Sequence, residues 1–150
     1  MQLEERLQDE MKKAMKQKEK FRLSVIRMLR SEVQNFKIEK SGEITEDELV
    51  ELIAKEKKKR QENLDEYRQM EKEDMVRDLE REIEILDEFL PEQLSEEDLK
   101  EIILEEISNT GAESPQDMGK VMKAVMPRVR GRADGKKVNQ LVNQLLQSSS

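Results

Sequence analysis

Pro127-Arg128-Val129-Arg130-Gly131-Arg132 puts three guanidinium groups on one short segment. A guanidinium offers two parallel N–H donors to a phosphate, so such a cluster suits the backbone of a polyanion. Lys120 and Lys123 precede it, and Lys136 and Lys137 follow. Gly131 and Gly135 permit tight turns and close approach of a ligand. Asp134 is placed to cap a last helix, whose first N–H groups favour an anion. Lys136 and Lys137 in that first turn oppose the helix dipole, a strain that a bound phosphate relieves. From Met118 to Ser150 only Asp134 opposes the seven cations, giving +6. The whole chain carries −7, so residues 1–117 carry −13. A compact positive patch on a negative molecule selects a polyanion by position. The competing reading is a solvated loop whose arginines pair with the acidic N-terminal part. Charge alone leaves these two level.

Other residue types narrow the chemistry. No aromatic residue follows Phe89, which favours recognition of backbone or shape over stacking on unpaired bases. Asn139, Gln140, Asn143 and Gln144 could hydrogen-bond sugar hydroxyls or base edges, though such residues are most often the wet side of a helix. Met118, Met122 and Met126 recur at i, i+4, i+8 and read as core. Lys55 and Lys57 to Arg60 lie among glutamates at ion-pairing distance along a helix and read as structural.

Catalysis finds little footing. The chain has no Cys and no His, so disulfides, thiolates, imidazole bases and imidazole metal ligands are absent. The carboxylates follow polar helix faces, and no acid–base pair stands out. Ser24 and Ser31 lie mid-helix without a His partner. No strand leads into a Gly-rich phosphate loop. The expectation is therefore no cofactor, no metal, no small-molecule substrate and no reaction by this chain alone. No apolar run approaches a membrane span, and the acidic amphipathic start is unlike a secretory signal. A cytoplasmic setting without membrane contact is expected.

The elements that must hold the basic segment are all helical. Leu3, Leu7, Met11 and Ala14 keep a 3.6-residue period, as do Phe21, Val25, Met28, Leu29, Val33 and Phe36, with a break expected near Lys18. Ser41-Gly42 ends the second helix, with Gly42 relieving left-handed strain. Thr45 and Glu48 form a capping box for a third helix through Leu49, Leu52, Ile53, Leu64 and Tyr67. A fourth helix carries Met75, Leu79, Ile83, Leu86 and Leu90, and Pro91 stops it. Ser95 caps the next helix, and Asn109-Thr110-Gly111 ends it. Ser114 and Pro115 start another, which Pro127 is expected to terminate, leaving Arg128 to Arg132 as a loop. The last helix turns Val138, Leu141, Val142 and Leu145 inward, and Ser148-Ser149-Ser150 should fray. The fold class is all-α: an elongated N-terminal antiparallel four-helix bundle over 1–91 and a small three-helix bundle over 92–150.

Asp117-Met118-Gly119-Lys120-Val121-Met122 and Gly131-Arg132-Ala133-Asp134-Gly135-Lys136-Lys137-Val138-Asn139 closely resemble the YqeY family. Phe21 to Leu29 and Ile85 to Leu94 fit its pattern as well, so the resemblance covers nearly the whole chain. YqeY proteins are small and bacterial, similar to the C-terminal region of the GatB subunit of the glutamine-dependent aspartyl/glutamyl-tRNA amidotransferase. The resemblance implies a two-part helical fold and a role near tRNA, because that tail helps hold the tRNA body. It also implies a link by homology to a carbon–nitrogen ligase with glutamine as amido donor. The parts performing that chemistry, the amidase subunit and the larger N-terminal portion of GatB, lie outside the region resembled.

The expected function is a noncatalytic tRNA-binding module, with Lys120, Lys123, Arg128, Arg130, Arg132, Lys136 and Lys137 on phosphates. The alternatives are a protein-interaction adaptor and an accessory to a tRNA-dependent amidotransferase, docking on an amidotransferase or aminoacyl-tRNA synthetase component.

Overall fold

A computed structural model describes residues 2–149, with side chains through residue 148. The fold is all-α: α1 (Leu3–Lys16), α2 (Lys20–Lys40), α3 (Glu46–Gln69), α4 (Glu73–Glu88), α5 (Glu96–Thr110), α6 (Met118–Val129) and α7 (Gly135–Ser149), with a 3-10 turn at Pro115–Asp117. The described residues contain no strand. The chain divides into two compact units, Met1–Pro91 and Glu92–Ser150.

In the first unit the 3.6-residue period turns Leu3 and Leu7 inward from α1, and Val25, Ile26, Leu29 and Val33 from α2. Leu49 and Ile53 of α3 and Leu86 of α4 meet them, and Phe89 and Leu90 close the core just past α4. Full burial of such a side chain stabilises the fold by roughly 1.5–3 kcal/mol. The break between α1 and α2 falls at Lys18, which takes a left-handed φ of 57°. Ser41 does the same at φ 59°, while the Gly42 N–H donates to the Lys37 carbonyl at 3.1 Å. The left-handed residue is thus Ser41, where the sequence suggests Gly42. The helix C-terminus sets the position, and the following glycine is one residue too late to use. Thr45 caps α3 as its spacing predicts: its Oγ1 accepts from the Glu48 N–H at 3.1 Å, and Glu48 Oε1 accepts from the Thr45 N–H at 2.9 Å.

The outer part of the α3–α4 hairpin is built differently. Between Ile53 and Leu86 only Leu64 among its apolar residues is buried. Ion pairs cross the gap instead: Lys57 to Asp87 at 2.6 Å, Arg60 to Glu82 at 3.7 Å and Arg68 to Glu80 at 3.1 Å. Lys57, Lys59 and Arg60 are therefore structural partners of carboxylates, since Glu56 also holds Lys59 and Arg60.

In the second unit α5, α6 and α7 pack against one another. Ser95 Oγ accepts from the Asp98 N–H at 3.1 Å and starts α5. Gly111 ends it in the left-handed region, at φ 69°. Leu99, Ile103 and Ile107 face Val121, Val125 and Val129. From α7 come Val138, Leu141, Val142 and Leu146, and Leu145, partly buried, packs against them as its spacing predicts. Pro127 does not end α6. The helix continues to Val129, which is fully buried, and the Arg130 N–H still donates to the Met126 carbonyl at 3.0 Å. Proline removes one helical donor. Here Pro127 is exposed, and the apolar ladder continues on the opposite face. Ser148 belongs to α7 and its hydroxyl donates to the Gln144 carbonyl at 3.1 Å, so the fraying expected of the last serines excludes it. Ser150 lies outside the described residues.

Candidate nucleic-acid interface

Because Val121, Val125 and Val129 face inward, α6 turns Lys120, Lys123 and Arg128 to solvent. Lys120 and Lys123 make no salt bridge among the described residues. Lys120 does influence Asp117, whose carboxyl sits below its usual range. The Glu113 backbone N–H at 2.9 Å is the main cause, burial opposes it, and the Ser114 N–H and Lys120 add to it.

Arg128 is not open in the same way. Its Nη1 lies 2.9 Å from Glu105 Oε2 and 3.1 Å from Glu106 Oε1. The hydrogen bond it donates to Glu105 is the main reason its proton is held more firmly than usual. Both acids are on α5 of the same unit. Lys137 lies 3.8 Å from Glu96, also on α5, with about half of each side chain exposed. At that distance and exposure the pair contributes little.

Arg132 serves the backbone. Its Nε donates to the Glu92 carbonyl at 3.2 Å and its Nη1 to the Arg128 carbonyl at 3.2 Å. Its own carbonyl accepts from the Leu94 N–H at 2.8 Å, and Gln93 Nε2 donates to the Gly131 carbonyl at 2.7 Å. Gly131 itself takes φ 74°, a conformation that favours glycine. The turn between α6 and α7 is thereby strapped to Glu92–Leu94. Arg130 is half-buried and has partners of its own.

Asp134 caps α7 through its Oδ1, which accepts from the Lys136 N–H at 3.2 Å. The Lys136 side chain is exposed and makes no salt bridge among the described residues. The cations that present a free charge are therefore Lys120, Lys123 and Lys136. Arg128 and Lys137 are shared with α5, and Arg132 holds the turn. The sequence marks all seven residues but not the acceptors that engage them. Glu105, Glu106 and the Glu92 carbonyl come into range only through the packing of α5 and of the chain entering it. The sole sequence signal was the density of acids in α5.

Elsewhere an open groove of about 640 Å³ between α2 and α3 is lined by Glu32, Phe36, Glu48, Glu51, Leu52 and Lys55 among others. Glu48 there is held by Lys40 at 2.6 Å and by its Thr45 cap. Among the described residues no group of carboxylates is arranged to hold a metal ion, and no helix is long and apolar enough to cross a membrane.

A family model described as Yqey-like protein matches residues 4–146. The chain belongs to the YqeY family. No curated protein matches it. The YqeY match runs from α1 into the last turns of α7, so it takes in both units and all seven candidate cations.

Proposed function

We propose that this YqeY chain is a noncatalytic RNA-binding module with tRNA as its ligand. The observation that carries the reading is the set of uncompensated cations Lys120, Lys123 and Lys136 on α6 and the first turn of α7, in a chain whose net charge is −7. Phosphate is the anion such a set fits, because ammonium groups on flexible stems bind it as point charges. Arg128 and Lys137 reinforce the surface when a phosphate outcompetes the α5 carboxylates. The resemblance to the GatB tail favours tRNA over other RNA and supports a role beside amidotransferase chemistry.

A second reading, a protein-interaction adaptor or amidotransferase accessory, draws on Leu104, half exposed on α5 beside Glu101 and Glu105. Glutamine-dependent product formation that rises on adding the chain supports the accessory role.

Fluorescence anisotropy of labelled bulk tRNA across a salt series tests the RNA reading, beside a Lys120→Ala, Lys123→Ala, Lys136→Ala variant. These positions are exposed on helices and tolerate alanine. The intact chain should bind with affinity that falls steeply with salt. The variant should show a slope shallower by roughly 2–3 in log–log units, about one per lost phosphate contact. Absence of binding at low salt removes this reading and leaves the adaptor.

A further inference from the structure

The outward face of α7 is built unlike most of this chain. Charged residues make up 42% of the sequence, yet none follows Lys137. With Val138, Leu141, Val142 and Leu146 inward, Lys136, Gln140 and Asn143 fall at i, i+4 and i+7 on the opposite face, with Gln144 beside them. The row spans about 12 Å along the helix. Gln140 and Gln144 are exposed and Asn143 is half-buried. Their side-chain amides have no hydrogen-bond partner among the described residues. An ordinary solvated face of this protein carries charged residues in ion pairs, as α4 does through Asp74 and Arg77. A row of free amides keeps donors and acceptors while giving up charge. It gains nothing from a polyanion at a distance and needs a directional partner at contact.

We propose that this amide row reads the minor-groove side of an A-form RNA duplex, bonding ribose 2′-hydroxyls and base edges while Lys136 at its head holds a phosphate. The inference rests on the RNA-binding reading and deepens it by naming the form of RNA. Three features select that ligand. A 2′-hydroxyl both donates and accepts, and so does an amide, so the two match without charge. The A-form minor groove is wide and shallow and displays these hydroxyls, which suits a convex helix face. The chain has no aromatic residue beyond Phe89 on which unpaired bases could stack, which disfavours single strands.

The division of labour has a measurable consequence. Lys120, Lys123 and Lys136 supply salt-dependent attraction to any nucleic acid, whereas the amide row supplies the distinction between RNA and DNA. The test is anisotropy with three labelled probes of one sequence, an RNA duplex, a DNA duplex and single-stranded RNA, on the full chain and on a Gln140→Ala, Asn143→Ala, Gln144→Ala variant. Helix content by circular dichroism controls for folding. The intact chain should prefer the RNA duplex over the DNA duplex by about tenfold or more, the difference expected of several directional hydrogen bonds. The variant should bring that ratio to near one while keeping its affinity for DNA and its salt slope. Equal affinity of the intact chain for both duplexes, stronger binding of the single strand, or a preference that survives in the variant each overturns the amide-row assignment while leaving the cationic surface standing. No binding of any probe at low salt overturns the RNA-binding reading itself, and this inference with it.

Discussion

Arg132 Nε donates to the carbonyl oxygen of Glu92, 40 residues earlier in the chain, at 3.2 Å. A guanidinium that reads in the sequence as a phosphate ligand is thus a fastener for the turn that carries the other cations. It joins the entry to α5 with the exit from α6, and the Leu94 N–H answers by donating to the Arg132 carbonyl.

Replacing Arg132 should therefore act first on stability. Arg132→Ala should cost about 1–3 kcal/mol, because two carbonyl oxygens lose a charged donor. Arg132→Lys keeps the charge but not the forked geometry and should recover less than half of that. Urea unfolding of the two variants checks it. A lysine variant as stable as the parent would remove the fastening role and return Arg132 to the phosphate-binding set.

Glu105 and Glu106 compete with RNA for Arg128. Glu105→Gln with Glu106→Gln should tighten tRNA binding at low salt and steepen the salt dependence by roughly one unit of slope, the share of one further phosphate contact. A titration at several salt concentrations reads both effects. Unchanged slope means that Arg128 faces away from the ligand.

Three helix ends in the first unit place a residue with a Cβ in the left-handed region: Lys18, Ser41 and Glu71. Such a conformation costs roughly 1–2 kcal/mol for most residues and little for glycine. Ser41→Gly should raise stability by about 0.5–1 kcal/mol after the greater freedom of the unfolded glycine chain is set against it. Thermal unfolding decides, and a loss of stability would mean that the serine side chain contributes more than the strain removes.

Glu82 carries a pH signature. Burial between α3 and α4 pushes its carboxyl up, Arg60 pulls it down, and Asp78 pushes it up again, leaving it above the ordinary value. A raised carboxyl contributes stability that is present below the unfolded value, about 4.3, and is lost as pH rises through the folded value. Glu82→Gln should therefore stabilise the chain near pH 7 by under about 1 kcal/mol, and the gain should vanish by about pH 3.5. Paired denaturation curves at the two pH values give the answer. A variant less stable at pH 7 would show that the contact with Arg60 outweighs the burial.

Much of this fold is legible in the residues themselves. Period and caps suffice for the helices, since Thr45, Ser95 and Gly111 act on neighbours within five residues. What the sequence conceals depends on distant packing. Pro127 looks terminal until Val129 is seen in the core, and Leu146 joins Leu145 on the inward side because the cumulative turn of α7 carries it to the centre of the core. The basic segment shows the same limit. Residue type marks the cations, but whether each is open depends on α5, which lies far away along the chain.

Arg6 reaches across the first unit to the Glu88 carbonyl at 2.6 Å, and its guanidinium lies 5.1 Å from the Phe89 ring. Leu3 and Leu7 share a core with Leu86, Phe89 and Leu90, so the two ends of this unit complete each other. During synthesis α2 covers much of the α1 stripe as soon as it forms, and the core they share closes only when Leu86, Phe89 and Leu90 follow. A helix pair left open at one end until its last partner arrives is the point at which a nascent unit of this kind still presents apolar surface.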